Sequence, residues 1–176
     1  MQIGILADSH DHHSNVLRAI KIFNDHKVDY VLHAGDIVSP FTAKAFEDLK
    51  IAKFIAVFGN NEGEKLFLKS TIESFGGEIH EYCYKGQIGG KEIYMTHTNH
   101  NVEEIARSQI YDLLIYGHTH KQDIRQVGKT LIINPGETTD WLTNSAQIVI
   151  ISLDNLSYHI EKIASNFLLT KLKLDS

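Results

Sequence analysis

The sequence predicts an α/β fold in which strands and helices alternate through the first half and strands dominate the second half. Short apolar runs alternate there with segments whose apolar residues recur at three- and four-residue spacing, which is the period of one helix face. Strands that alternate with helices form mostly parallel sheets covered by helices. We therefore expect a mostly parallel sheet with helical cover, followed by further strands.

The first half is expected to run strand, helix, strand, helix, strand, helix. Residues 3–7, 30–32 and 54–58 are apolar runs typical of buried strands. Helices are predicted over residues 16–23, 41–49 and 64–75. Ser39-Pro40 supplies a cap and a first-turn proline before the second helix, and Gly76-Gly77 ends the third.

The second half is predicted to contain more strands than helices. Strands are expected over residues 78–84, 92–95, 113–116, 146–153 and 157–163, with a hairpin through Val127-Gly128-Lys129-Thr130. One helix is expected near residues 102–108, and residues 168–174 fit either an edge strand or a frayed helix. We found no linker, low-complexity stretch or repeat, so we expect one domain over residues 1–176.

The composition is that of an ordinary globular protein, with 43% hydrophobic and 22% charged residues. A formal net charge of −5 makes a nucleic-acid polymer an unlikely partner, because such partners call for a basic face. The lone Cys83 excludes an intramolecular disulfide. No signal peptide and no apolar stretch of about 20 residues is recognisable, so we expect a cytoplasmic protein without membrane contact.

The predicted strands end repeatedly in side chains that can bind a metal ion. Five apolar runs lead into Asp8-Ser9-His10, Gly35-Asp36, Gly59-Asn60-Asn61, Thr96-His97 and Gly117-His118-Thr119-His120. Any one of these residues alone is more often a helix cap, a turn former or a satisfied polar group. Ligands of open α/β sheets bind beyond the carboxyl ends of the strands. The recurrence therefore favours one shared metal cleft.

These motifs, together with the Asn134-Pro135-Gly136 turn, resemble those of the calcineurin-like metallophosphoesterases. Within that family the sequence looks like the small single-domain phosphodiesterases of bacteria and archaea. The resemblance implies a four-layer α/β/β/α sandwich of two mixed β-sheets flanked by helices, with the turn close to the metals. It further implies one ion bound by Asp8, His10, Asp36 and His120, and a second ion bound by Asp36, Asn60, His97 and His118.

The chemistry of such a site agrees with phosphoester hydrolysis. Two divalent ions about 3.5–4 Å apart, bridged by the Asp36 carboxylate and a water, lower the pKa of that water and clamp a phosphoryl group. Mixed His, Asp and Asn donors favour Mn, Ni, Co, Fe or Zn over Mg. Two such ions outweigh the charges of Asp8 and Asp36, so we expect a small anionic phosphoester as substrate.

Asn61 and Asp11 are the candidates for the remaining chemistry. Many family members carry a histidine after the glycine-asparagine pair as the acid for the leaving group, and Asn61 stands there in this sequence. An amide cannot supply that proton. Asp11 is expected to cap the first helix, to orient a metal ligand or to transfer a proton, with the structural roles favoured.

The other histidines among the eleven in the chain are expected to have smaller roles. His12, His13 and His100 are either solvated or in contact with substrate in the cleft. His33 is expected in the core or behind a metal ligand. His26 and His159 are expected on the surfaces of a helix and a strand, and the sequence around them shows no pattern that indicates a partner.

Three alternatives to a phosphodiesterase follow from the sequence. A phosphomonoesterase would use the same site. A metal-poor protein-interaction scaffold is of a different class, since a retromer subunit resembles this fold, but a scaffold does not need the complete ligand set. A nucleotide-binding oxidoreductase would need a Gly-x-Gly-x-x-Gly before the first helix, which this sequence lacks.

As in many family members, a dimer or tetramer is expected.

Overall fold

The computed structural model of the protein describes residues 1–163, so the prediction for residues 168–174 lies outside the described part. In chain order the elements are β1 (Gln2–Leu6), α1 (His13–His26), β2 (Tyr30–His33), α2 (Pro40–Lys44), β3 (Lys53–Val57), α3 (Lys65–Ser74), β4 (Glu78–His80), β5 (Cys83–Ile88), β6 (Lys91–Thr96), α4 (Val102–Arg107), β7 (Leu113–Ile115), β8 (Asp123–Val127), β9 (Thr130–Asn134), β10 (Gln147–Ser152) and β11 (Tyr158–Lys162). A 3-10 turn, Ala45–Asp48, follows α2.

The strands form two mixed sheets. The first has the order β11-β10-β1-β2-β3-β4, with β1 to β4 parallel and β10 and β11 antiparallel. The second has the order β5-β6-β7-β9-β8, in which β6, β7 and β9 are parallel. The predicted hairpin through Val127-Gly128-Lys129-Thr130 joins β8 and β9, and the other antiparallel strands, β5, β10 and β11, also come from the strand-rich second half.

Successive residues of β1 serve different cores because side chains alternate across a strand. Leu6 packs with Val16 and Phe23 of α1 on the outer face of the first sheet. Ile3 and Ile5 point the other way, into the apolar layer between the two sheets. A third cluster places α4 on the outer face of the second sheet. The layers are therefore helix, sheet, sheet, helix, and the predicted α/β/β/α sandwich is confirmed.

Two sequence predictions needed correction. The strand predicted over residues 78–84 is two strands, since β4 belongs to the first sheet and β5 to the second. The connection lies at Glu81 and Tyr82, both exposed, where the chain passes from one sheet to the other. The helix predicted over residues 41–49 is α-helical only to Lys44 and continues as a 3-10 turn. The remaining elements fall within a few residues of their predicted bounds.

The arrangement directs the carboxyl ends of strands from both sheets toward one cleft. Thr138, after β9, donates its backbone N–H to the carbonyl of Ala7, after β1, at 2.9 Å. The imidazole of His97, after β6, lies 2.8 Å from the carbonyl of Ala34, after β2.

Among the described residues no helix has the length and apolarity needed to cross a bilayer.

Candidate metal centre

One group of side chains in the cleft comes from the ends of β1, β2 and β7. The Nε2 atom of His10 lies 3.4 Å from Oδ2 of Asp36 and 3.2 Å from Nε2 of His120. The Nε2 atom of His120 is 3.8 Å from Oδ1 of Asp8. Ligand atoms of Asp8, His10 and His120 are close enough together to share one ion.

The neighbouring group adds residues from the ends of β3 and β6. The Nε2 atom of His97 lies 3.4 Å from Oδ2 of Asp36 and 2.8 Å from Oδ1 of Asn60. The same oxygen of Asn60 lies 2.9 Å from Nδ1 of His118. Oδ2 of Asp36 is thus equidistant from His10 and His97, which is the place that a bridging carboxylate would occupy.

The hydrogen-bond pattern of these side chains fits a cation. His97 Nδ1 donates to the Ala34 carbonyl at 2.8 Å, and His120 Nδ1 faces a carboxylate oxygen of Glu137 at 2.9 Å. Protons on the outer nitrogens leave both Nε2 atoms as acceptors facing other acceptors. In addition, Oδ2 of Asp8 is buried and has no hydrogen-bond partner within residues 1–163. Divalent ions would satisfy these lone pairs, so the residues present fit the expected metals.

The two carboxylates differ in their pKa values. Burial raises the pKa of Asp8 to about 6, although the charges of His97 and His120 oppose this shift. Burial also raises the pKa of Asp36, but the hydrogen bond and charge of a His97 that carries a second proton, on Nε2, together with hydrogen bonds from Asn61, hold the pKa of Asp36 below its usual range. A metal ion would take the place of that Nε2 proton. Asp36 is therefore ionised at neutral pH, and a cation beside Asp8 would replace the hydration that its carboxylate has lost.

Many of these residues have an unusual backbone conformation. A positive φ angle is found at Asp8 (52°), His10 (37°), Asp36 (59°), His118 (68°) and His120 (59°). For residues other than glycine this region costs roughly 1–3 kcal/mol each, and such residues cluster at functional sites where the surroundings enforce them. The left-handed turns after β1, β2 and β7 aim the side chains into the cleft.

Two glycines next to the site are required by close contacts. A Cβ atom at Gly35 would lie 2.5 Å from Nδ1 of His97, and one at Gly59 would overlap Oδ1 of Asp36. The Gly-Asp and Gly-Asn pairs of the sequence therefore have a steric reason. Glu62 holds the same two loops together, because its buried carboxylate accepts the backbone N–H groups of Ile37 at 3.1 Å and Gly59 at 3.0 Å.

Glu137 is the main functional residue that the sequence reasoning missed. Its side chain is fully buried and accepts hydrogen bonds from Thr139 Oγ1 at 2.5 Å and from the backbone N–H groups of Leu142 at 3.1 Å and Thr143 at 2.6 Å. Burial raises the pKa of Glu137, but the hydrogen bonds from Thr139, His120 and Thr143 outweigh it and keep this pKa well below its usual range. The carboxylate thus orients His120.

The position of Glu137 follows from the turn that precedes it. Asn134 Nδ2 donates to the Gly117 carbonyl at 2.9 Å and to Thr119 Oγ1 at 3.0 Å. This joins the end of β9 to the loop that carries His118 and His120. The Asn134-Pro135-Gly136 turn, expected near the metals, was the signal that could have led to Glu137.

Comparison with known proteins now adds to this geometry. Residues 1–156 match the calcineurin-like phosphoesterase superfamily domain. The chain belongs to this superfamily. It is therefore a hydrolase of phosphoric ester bonds from a metal-dependent family, and the predicted resemblance and enzyme class are confirmed.

Several relatives of this phosphoesterase are closely similar in sequence or structure. A phosphodiesterase of Methanocaldococcus jannaschii is 40% identical over 161 residues, which cover 90% of this chain and 96% of the relative. A probable metallophosphoesterase of Methanothermobacter thermautotrophicus is 30% identical, covering 88% of this chain and 87% of the relative. A solved structure of an archaeal phosphodiesterase superposes with a TM-score of 0.88 at 39% identity, covering 92% of this chain and 99% of the other.

Asn61 and Asp11 of the phosphoesterase both take part in hydrogen bonds within the protein. Asn61 binds Asp36 twice, through its backbone N–H to Oδ1 at 2.9 Å and through Nδ2 to Oδ2 at 2.8 Å. Asp11 does not cap α1; its carboxylate accepts the backbone N–H of Ser39 at 3.0 Å. The N-cap of α1 is His12, whose Nδ1 accepts the backbone N–H of Asn15.

His33, His26 and His159 lie where the sequence predicted them. His33 is fully buried behind the site, where its Nε2 atom lies 3.0 Å from Ser9 Oγ and burial lowers its pKa to about 3. His26 and His159 are exposed, and their Nε2 atoms lie 3.8 Å and 3.5 Å from Oε1 of Glu161. No sequence pattern indicated this partner, because α1 and β11 are far apart in the chain and approach each other only in the fold.

A cavity adjoins one group of the proposed ligands, and an exposed aromatic residue lies beside the other. The cavity has a volume of about 360 Å³, adjoins Asn60 and His97 and is also lined by Lys65, Tyr82 and His100. Trp141 is exposed, and the centroid of its ring lies 6.3 Å from that of His10.

Proposed function

We propose that this protein is a phosphodiesterase that binds two divalent transition-metal ions in the cleft and hydrolyses a small phosphodiester. The observation that carries the proposal is the convergence of inward-facing acceptors from both sheets on Oδ2 of Asp36, with 3.4 Å to His10 and 3.4 Å to His97. Several unpaired hydrogen-bond acceptors so close together are unfavourable unless cations lie between them. Membership of a phosphoesterase superfamily identifies the bond that would be cleaved.

The proposed ligand sets follow the two groups of contacts. One ion would be held by Asp8, His10, Asp36 and His120, and the other by Asp36, Asn60, His97 and His118. Nitrogen donors mixed with carboxylate and amide oxygens suit Mn, Ni, Co, Fe or Zn. Such a pair supplies positive charge for the phosphoryl oxygens and lowers the pKa of water enough to provide a hydroxide nucleophile near neutral pH.

Asn61 and Glu137 would hold two of the proposed metal ligands in the orientation that binding requires. Asn61 holds both oxygens of Asp36, so we assign it the orientation of the bridging carboxylate and not proton transfer. Glu137 fixes the proton of His120 on Nδ1 and leaves Nε2 free to bind an ion. Because the Asp11 carboxylate is engaged by the backbone N–H of Ser39, we propose that Asp11 does not protonate the leaving group.

Hydrolysis of a diester is favoured over hydrolysis of a monoester by the shape of the cleft. A diester carries two substituents on phosphorus, and the site offers surroundings for both, since the cavity at Tyr82 and His100 adjoins His97 and the ring of Trp141 lies beside His10. A relative that is 40% identical over nearly its whole length is named a phosphodiesterase. A phosphomonoesterase with the same site remains the second candidate. The dimer or tetramer and the cytoplasmic location remain predictions.

The direct test combines metal counting with substrate comparison. His26, His159 and Glu161 also lie within reach of one ion, so ions should be counted in wild type and in His26→Ala. We expect two ions per chain in the His26→Ala protein and faster turnover of bis(p-nitrophenyl) phosphate than of p-nitrophenyl phosphate with Mn²⁺ or Ni²⁺. Faster turnover of the monoester would favour the second candidate. One ion per chain at saturation would contradict the dinuclear centre.

A further inference from the structure

Trp141 is the tryptophan of this chain and its ring is 60% exposed. It lies in the segment between β9 and β10 and belongs to none of the apolar clusters described above. A tryptophan that packs the interior would be mostly buried, and exposed aromatic rings are typical of binding surfaces. Packing among residues 1–163 therefore does not account for the large side chain of Trp141.

The ring lies beside the proposed metal centre. Its centroid is 6.3 Å from that of His10 and 5.9 Å from that of His12. His10 is one of the proposed ligands, so a group attached to a phosphorus held there would reach the indole. The neighbouring Asp140 lies 3.8 Å from Nε2 of His12, so Trp141 and Asp140 both lie next to the start of α1.

The backbone around Trp141 is fixed by the same carboxylate that orients His120. Glu137 accepts the backbone N–H of Leu142 and the backbone N–H and hydroxyl of Thr143 through Oε1, at 3.1, 2.6 and 2.7 Å. Its other oxygen faces His120 Nδ1 at 2.9 Å. One buried carboxylate therefore fixes both the orientation of His120, a proposed metal ligand, and the backbone of the loop that carries Trp141. A surface held in place before binding loses less entropy when a ligand arrives.

We propose that Trp141 is a specificity-determining residue that stacks on an aromatic substituent of the phosphoester substrate. The inference rests on the proposed function, because the phosphoryl group must be held at the metals for its substituent to reach the ring. The indole face accepts any flat ring, since stacking does not require a particular pattern of hydrogen bonds. A nucleobase and a simple aryl group share this chemistry.

Binding of two phosphonates that differ only in their substituent isolates this contact. Phenylphosphonate and methylphosphonate present the same charged group, and neither is hydrolysed. We expect the Mn²⁺-loaded protein to bind phenylphosphonate about 10-fold more tightly by calorimetry, which corresponds to about 1.4 kcal/mol. The emission of Trp141 should respond to phenylphosphonate and not to methylphosphonate. Adenosine 5′-monophosphate against ribose 5-phosphate then distinguishes a nucleobase from a simple aryl group.

Variants at Trp141 decide whether the indole is responsible. Trp141→Ala should remove the preference for phenylphosphonate while leaving methylphosphonate affinity unchanged, and Trp141→Phe should keep most of the preference. Tyr158→Ala, at an exposed aromatic residue of the edge strand β11, is the matched control and should behave as wild type. A preference that survives in Trp141→Ala would overturn the inference. If neither phosphonate bound the metal-loaded wild type, the phosphoryl site itself would be wrong, and this inference with it.

Discussion

Replacing Glu137 with glutamine tests how the fold controls a proposed metal ligand. The substitution keeps the shape of the side chain but turns one acceptor into a donor. Oε1 receives the immobile backbone N–H groups of Leu142 and Thr143, so the new amide nitrogen must take the place of Oε2. There it faces Nδ1 of His120. The imidazole can accept this hydrogen bond only if its proton moves to Nε2, the nitrogen that would bind the ion.

The magnitude follows from the contacts that change. Loss of an orienting partner behind a metal ligand typically lowers metal affinity about 10- to 100-fold. The hydrogen bond between His120 and the charged carboxylate is worth roughly 1.5–3 kcal/mol, part of which the amide replaces. We therefore expect the apoprotein to lose about 1–2 kcal/mol of its free energy of unfolding, which leaves it folded.

Metal affinity measured by competition with a chromogenic chelator is the appropriate assay. One of two ions should bind Glu137→Gln about 10- to 100-fold more weakly, while the ion on the His97 side is retained. Glu103→Gln makes the same change at the exposed surface, where Glu103 pairs with Arg107 and Arg125, and should change neither affinity. Wild-type affinity for both ions in Glu137→Gln would refute the argument about the His120 proton.

Three further predictions follow from the centre. Asp36→Asn should lower turnover by about 10²-fold or more and weaken both ions, because a neutral amide supplies less charge to each; two tightly bound ions with near-normal turnover would remove Asp36 from the bridge. Chelation should abolish activity and leave the circular dichroism spectrum largely unchanged, since the apolar layers do not depend on ions; collapse of the spectrum would contradict this. If Asp11 does not protonate the leaving group, as we propose, alkyl phosphodiesters should react ~10²–10⁴-fold more slowly than aryl ones, and Asn61→His should narrow this gap. A shallow dependence on leaving-group acidity in wild type would reveal another acid, to be sought first at His12.

The sequence alone was sufficient to predict that the strand ends, with the candidate ligands that follow them, converge on one cleft. Parallel strands deliver their carboxyl ends to one edge, so Asp8, Asp36 and Asn60 had to meet if the runs before them were strands. The glycines before Asp36 and Asn60 are now explained by their contacts. The division of the strands between two sheets, in contrast, came from the family resemblance and not from periodicity.

Other features could not be predicted because they depend on contacts distant in the chain. The passage from β4 to β5 has no turn signal, since Glu81-Tyr82 reads as a continuation of the strand pattern. Glu137 looked like any polar residue after a turn, and only the approach of His120 gives it a role. Likewise, α1 and β11 are far apart in sequence, so the proximity of His26 to Glu161 was invisible.

The proposed centre lies on the seam between the two sheets, and this position has a consequence for how the molecule holds together. Asp8, Asp36 and Asn60 follow strands of one sheet, while His97 and His120 follow strands of the other. Neither sheet alone can complete a coordination shell. Ions bound there would link the two sheets. Their binding would raise the free energy of unfolding only as long as the two sheets keep the relative position that brings the ligands together. Sliding of one sheet against the other would then be the motion that metal loading resists most.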